Sequence, residues 1–105
     1  MACILHIKPG VTLTGLSPEM LLGIQVVHSC YAAIGAPTCV ITSVTDGQHG
    51  IGSLHYTGDG VDFRIWDIDA PNLTALIRQS LGHGQYDVVL ERNHIHVEFQ
   101  PKQGS

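Results

Sequence analysis

The sequence predicts an α+β domain in which two helices accompany a small antiparallel sheet. Ser17-Pro18-Glu19 is a helix start, and the segment MLLGIQVVHSCYAAIG that follows is apolar on nearly every face, which is typical of a buried helix. Several other segments are short and are either rich in β-branched residues or alternate between apolar and polar residues, as strands do. Their order along the chain, with a strand pair after the second helix, favours α+β over other classes.

The remaining elements follow from local patterns. TCVITSV is rich in β-branched residues and predicts a strand, and GVDFRIW alternates as a second one. Asp69 and Pro71 open a helix with one apolar face, and Gly82 marks its end. YDVVLER and HIHVEF predict a hairpin turning around Asn93. Phe63 and Trp66 are expected in the core as large apolar side chains, with the wall of a substrate cleft as the alternative for Trp66.

Length and composition limit the function classes. The chain of 105 residues predicts a single domain, 1–105, with a loose tail from about residue 100. Five Lys+Arg residues and a net charge of -4 predict no nucleic-acid partner. Three cysteines without CxxC spacing predict reduced core thiols. With no signal peptide and no apolar run of about 20 residues, we expect a cytoplasmic product that does not insert into membranes.

The stretch DGQHGIGSLHYTGDGVDFR contains the first candidate metal ligands. His55 precedes a glycine-rich turn and Asp62 begins the next strand, and Gly58 and Gly60 allow the chain to fold back between them. Imidazole nitrogen and carboxylate oxygen are both zinc ligands. A single His and Asp at this spacing is more often a polar turn, so this stretch alone does not define a site.

The stretch ERNHIHVEF contains the second pair. Residues two apart on a strand share a face, so His94 and His96 point to the same side while Ile95 and Val97 point to the other. A pair of histidines on a solvated face is the alternative for H-x-H alone. Four candidate groups in two segments favour a metal site, with one imidazole as ligand and its neighbour as acid, base or oxyanion stabiliser.

Two patterns resemble the hedgehog/D-alanyl-D-alanine metallopeptidase family, which includes phage endolysins. The pattern S-x-H-x-x-G-x-x-x-D is present as Ser53, His55, Gly58 and Asp62, and H-x-H is present as His94 and His96. The match spans residues 39–100, and His49 lies six residues before His55 as in the hedgehog signalling domain. The resemblance implies a Zn²⁺ ion held by His55, Asp62 and His96. It also implies that His94, assisted by His49, lies beside the zinc-bound water.

The chain departs from the family at the general base. Many of these peptidases carry a carboxylate immediately before H-x-H, where this chain has Asn93. Glu91 is the nearest carboxylate to the ligand strand, although its strand parity is opposite to that of His96, and we assign it as the base. An alternative register makes Glu91 to His94 an E-x-x-H motif with His94 as the ligand.

The resemblance implies a zinc peptidase, of phage or bacterial origin, that acts on the stem peptide of peptidoglycan. The upstream arginine that holds the substrate carboxylate in many carboxypeptidases is missing. Arg64 is the candidate in its place, or it orients Asp62, and Ser53 is a further substrate-binding candidate. We expect action on the wall after release from the producing cell or as part of a virion. The alternative function is a zinc-stabilised binding module without activity, which Asn93 favours.

Overall fold

Five strands and two helices make up the described part of the chain, which covers residues 2–45, 59–82 and 84–100 of a computed structural model. In chain order the elements are β1 (Ile4–Ile7), α1 (Pro18–Ala33), β2 (Thr38–Thr45), β3 (Gly60–Arg64), α2 (Ala70–Leu81), β4 (Tyr86–Leu90) and β5 (His94–Phe99). The strands form one sheet in the order β1-β2-β3-β5-β4. Every strand and helix expected from the sequence is therefore present.

The sheet is mixed, so the prediction of an antiparallel sheet is wrong at one edge. β1 pairs with β2 in parallel, whereas the other three strand pairs are antiparallel. The cause is α1, because a helix between two neighbouring strands carries the chain back and lets the second strand run in the same direction as the first. The α+β assignment holds, with a β-α-β unit at its start.

The helix ends are formed by the capping residues that the sequence indicates. The Ser17 side chain accepts a hydrogen bond from the Met20 backbone N–H at 3.1 Å, and Asp69 accepts one from the Asn72 N–H at 3.2 Å. Gly82 ends α2 in the left-handed region, with φ 77°. These bonds satisfy amide groups that a helix leaves free at its N-terminus.

One face of the sheet forms the core and the opposite face carries polar side chains. On β5, Ile95 and Val97 are fully buried, and the alternate positions from His94 to Glu98 are partly exposed. The core face packs against both helices in one cluster, which includes Met20, Val27, Phe63, Leu73 and Ile77. Burial of alternate residues fixes the register, because a slip by one residue would expose the apolar set.

Asp59 ties the start of α1 to the middle of the sheet. It is 3% exposed, and its carboxylate accepts a hydrogen bond from the Ser17 backbone N–H. Its carbonyl accepts a second bond from the Phe99 N–H at 2.9 Å. An acid at a helix N-terminus interacts favourably with the helix dipole. The position of β3 beside β5 is therefore coupled to the position of α1.

The three cysteines lie in the core, as the composition predicts. Cys3, Cys30 and Cys39 are all buried and free. Across the three described ranges, neither helix has the length and apolar character that crossing a bilayer requires.

We predict that Tyr31→Phe lowers the free energy of unfolding by about 1–3 kcal/mol, because it leaves a buried carbonyl without a donor. The Tyr31 hydroxyl donates to the Arg64 carbonyl at 2.7 Å, and the side chain is 1% exposed. Tyr86→Phe is the matched control, since Tyr86 donates to the Glu19 carbonyl at 2.6 Å in an exposed position where water can replace it. Urea denaturation measures both, and an equal or larger loss in the control would contradict the prediction.

Candidate functional site

The pairing of β3 with β5 brings the polar residues of the two sequence patterns together. In this antiparallel register Asp62 lies opposite His96, Arg64 opposite His94, and Gly60 opposite Glu98. Opposed residues of paired strands project their side chains from the same face, about 5 Å apart. Residues 30 or more positions apart in the chain therefore meet on the outer face of the sheet.

Four of these side chains form what we call the histidine–carboxylate cluster: Asp62, His94, His96 and Glu98. His96 Nδ1 lies 2.6 Å from Asp62 Oδ1, and His96 Nε2 lies 3.1 Å from Glu98 Oε1. His94 Nε2 is 3.7 Å from the same Asp62 oxygen. The imidazole of His96 is thus held between two carboxylates, one at each ring nitrogen.

This environment changes the protonation of His96. Burial by itself would lower the pKa of His96, but the hydrogen bonds and negative charges of Asp62 and Glu98 outweigh it and raise the pKa above its ordinary value. A histidine that donates from both nitrogens is in the imidazolium form. Without a metal, the cluster therefore favours a protonated His96.

Gly60 makes room for the His96 ring. A Cβ atom at position 60 would lie 2.7 Å from His96 Cε1 and 3.2 Å from Nε2, closer than side chains approach one another. Gly60 is the first residue of β3, so its role is to allow the ring to pack on the backbone of the neighbouring strand. The sequence indicated only a sharp turn for this glycine.

Asn93, which stands where many family members carry the base, orients His94. Asn93 Oδ1 is 2.7 Å from His94 Nδ1, so the amide oxygen accepts a hydrogen bond from Nδ1–H and Nε2 is the nitrogen that faces Asp62. Glu91 lies in the turn between β4 and β5 with an exposed side chain, and its backbone N–H donates to the His94 carbonyl at 2.8 Å. The described contacts place Asn93, and not Glu91, in the cluster's hydrogen-bond network.

Arg64 lies on the same face as Asp62, as its strand parity predicts, and stacks on Trp66. Its guanidinium carbon is 4.0 Å from the centre of the Trp66 ring. Trp66 is 68% exposed, so the prediction that it belongs to the core is wrong, while Phe63 is fully buried as expected. Trp66 has the parity of Asp62 and Arg64, so its exposure agrees with the alternation of β3, and only its large aromatic side chain favoured the core.

Three of the predicted site residues, His49, Ser53 and His55, lie outside the described residues. The predicted third zinc ligand is among them. Within residues 2–45, 59–82 and 84–100, no three His, Cys, Asp or Glu side chains form a group able to hold a metal ion. The described ranges thus contain two of the three predicted ligands, Asp62 and His96, in direct contact.

Glu98 is not among the site residues predicted from the sequence, because it lies outside both the S-x-H-x-x-G-x-x-x-D pattern and the H-x-H pattern. The signal that identifies it is parity, because residues 94, 96 and 98 share one face of β5. Once His96 is a ligand candidate, a carboxylate two residues along the same strand is within reach of its second ring nitrogen. Glu98 also accepts a hydrogen bond from the Gln100 side chain.

Comparison with known proteins finds no matching family model, no matching curated protein and no matching solved structure. The resemblance to the hedgehog/D-alanyl-D-alanine metallopeptidase family accordingly rests on the two sequence patterns.

We predict that Asp62→Asn and Glu98→Gln each lower the pKa of His96 in chelator-treated protein, because each removes a negative charge and a charged acceptor. Proton NMR titration of the histidine signals measures the change. Since the folded pKa is raised, protonated His96 stabilises the metal-free fold below about pH 6.5, and this contribution is lost as the pH rises through the folded pKa. An unchanged pKa in both variants would contradict the described contacts.

Proposed function

We propose that the protein is a zinc-dependent peptidase that cleaves a peptide bond in the stem peptides of peptidoglycan. The observation that carries the proposal is the direct contact between Asp62 Oδ1 and His96 Nδ1 across β3 and β5. These are two of the three ligands that the family resemblance implies. The third, His55, completes a His-Asp-His set in the proposal.

The chemistry of these side chains fits zinc. Imidazole nitrogen and carboxylate oxygen are common zinc ligands, whereas magnesium and calcium prefer all-oxygen sites. Two ligand atoms of one tetrahedral zinc lie about 3.3 Å apart, so the pair would exchange its direct hydrogen bond for bonds to the metal after a small separation. When bound, zinc lowers the pKa of a water molecule to about 7 and polarises the scissile carbonyl.

Glu98 supports His96 as a ligand in this proposal. Nδ1 faces Asp62, and Nε2 lies 3.1 Å from Glu98 Oε1. If Nε2 keeps its proton and donates it to Glu98, the lone pair is on Nδ1, where the ligand atom must be. This contact also supports His96 over His94 in the choice between registers, because His94 Nε2 is 3.7 Å from Asp62.

In this proposal, His94 acts as an acid or base through Nε2. Asn93 Oδ1 accepts a hydrogen bond from His94 Nδ1–H, so the nitrogen that faces the cluster is Nε2. A neutral His94 accepts a proton at Nε2, and the protonated form donates a hydrogen bond to negative charge that develops on the substrate oxygen. His49 is proposed to assist it.

Glu91 remains the proposed general base. Glu98 is the alternative candidate for the base, but its carboxylate already forms hydrogen bonds with the His96 and Gln100 side chains. Glu91 sits in the turn that leads into His94, with its carboxylate free of described partners. A base of this kind contributes about 10²–10⁴-fold in rate.

A zinc-stabilised binding module is the second candidate function. The specific observation that favours it is the Asn93 amide, which occupies the family's base position and bonds His94 at 2.7 Å. In such a module the cluster would bind metal and wall peptide without activating water.

The proposed setting is the bacterial cell wall, reached after release from the producing cell or as part of a virion. The described part of the chain holds no helix able to span a membrane. Incubation with purified peptidoglycan tests the proposal: we expect new amino groups to be released, release to stop on chelation, and zinc to restore it. Zinc binding and wall binding without any release would indicate the module instead.

Two glutamate variants separate the proposed base from the proposed support for His96. We predict that Glu91→Gln retains zinc and loses wall-lytic activity at least about a hundredfold, because the amide cannot accept the proton. Glu98→Gln should weaken zinc binding by about 10–100-fold, because it disturbs the partner of a ligand. Zinc affinity by competition with a chromophoric chelator, together with amino-group release, measures both. If Glu91→Gln were fully active, the base would have to be His94 or His49.

A further inference from the structure

A groove of about 580 Å³ crosses the outer face of the sheet beside the histidine–carboxylate cluster. Its floor and walls include Ile4, His6, Thr38, Val40, Arg64 and Trp66. This volume lies within the range of sites that bind small molecules and peptides. Tyr31 of α1, and Ala36 and Pro37 after that helix, also line the groove.

The groove runs from Arg64 on β3 to β1 at the edge of the sheet, and none of the four cluster residues lines it. Arg64 lies opposite His94 on β5, and on the far side of the groove His6 on β1 lies beside Val40 on β2. Neighbouring strands are about 4.8 Å apart, so the distance from β3 to β1 is about 10 Å. An extended peptide advances about 3.3 Å per residue, and the groove therefore accommodates about three residues.

Arg64 gives the groove a cation that has no acidic partner among the described residues. Among the described residues it forms no ion pair with any Asp or Glu, including Asp67, which also lines the groove. Its guanidinium is stacked at 4.0 Å from the Trp66 ring centre, which holds the planar group in place and leaves its N–H donors available. Such a fork binds a carboxylate through two parallel hydrogen bonds.

Trp66 completes the wall of the groove. A side chain of this size that is 68% exposed leaves an aromatic surface in water, and such surfaces are common where a ligand binds. Asp67 follows it with φ 57°, a left-handed turn that Asp tolerates better than most residues. The chain changes direction at this residue, immediately after Trp66.

We infer that this groove binds the segment of the substrate peptide that carries an in-chain carboxylate, with that carboxylate on Arg64 and the residues beyond it on the apolar floor toward β1. The position of Arg64 decides between an in-chain and a terminal carboxylate. Arg64 stands at the end of the groove next to His94, so a peptide that ended there would leave the floor toward Ile4 and Val40 uncovered. A peptide that continues past the carboxylate covers this apolar surface. The inference rests on the proposed peptidase function for the nature of the ligand.

Trp66 is the only tryptophan in the chain, so its fluorescence reports directly on the groove. Three peptides are titrated into the wild-type protein: the stem tetrapeptide of peptidoglycan with its in-chain carboxylate, the same peptide with that group as a carboxamide, and a dipeptide that ends at the carboxylate. We expect the first to bind at least about tenfold more tightly than either of the others, through the charged hydrogen bonds and the covered floor.

Arg64→Gln should remove the preference for carboxylate over carboxamide, and Arg92→Gln, which removes the same charge from an exposed turn residue outside the groove, should keep it. Arg64→Lys serves if the glutamine variant does not fold, and it should retain only part of the preference. Equal affinity for acid and amide, equal affinity for tetrapeptide and dipeptide, or an unchanged preference in Arg64→Gln would overturn the inference. Carboxylate-dependent binding without hydrolysis would support the proposed binding groove and contradict the proposed peptidase activity. Hydrolysis without carboxylate-dependent binding would support the peptidase activity and contradict the proposed role of the groove.

Discussion

The register between β3 and β5 is the constraint on which the site depends. It sets Asp62 opposite His96, and it places Arg64 opposite His94 and Gly60 opposite Glu98 in the same step. A shift of β5 by one residue would turn His94, His96 and Glu98 into the core and expose Ile95 and Val97, which are fully buried. The free energy of core burial therefore maintains the geometry of the polar face.

Two further features hold the polar groups in position. Gly60 lets the His96 ring pack against the backbone of β3, and Glu98 contacts the nitrogen that faces away from Asp62. The buried Asp59 carboxylate and the Tyr31 hydroxyl tie α1 to the two ends of β3. The strand that carries Asp62 is thus fixed by the helix layer as well as by its neighbours in the sheet, which is the rigidity that a metal or substrate site requires.

Most of the fold could be predicted from the sequence because its signals are local. Ser17, Asp69 and Gly82 mark helix ends by capping chemistry, and the alternation of HIHVEF marks the buried and exposed faces of β5. The parallel pairing of β1 with β2 could not be predicted in this way, since it depends on where α1 returns the chain. Trp66 was misplaced because the prediction relied on its large aromatic side chain and not on its strand parity, which it shares with Asp62 and Arg64.

In the candidate site, too, local features could be predicted from the sequence and long-range contacts could not. The side on which Asp62, His94 and His96 lie follows from strand parity, but the distances among them depend on pairing between segments far apart in sequence. The contact between His96 and Glu98 is local to β5 and could have been inferred from parity, but neither sequence pattern includes Glu98. The contact between Asn93 and His94 depends on a turn conformation that residue types alone do not specify.

The central claim is that Asp62 and His96 bind one zinc ion, and zinc content tests it most directly. Elemental analysis of protein loaded with zinc and dialysed should find about one zinc per chain in the wild type and in His94→Ala, and almost none in Asp62→Ala or His96→Ala. A wild type that cannot be loaded would contradict the account. So would a His96→Ala variant that holds as much zinc as the wild type while His94→Ala holds none, because the ligand would then be His94.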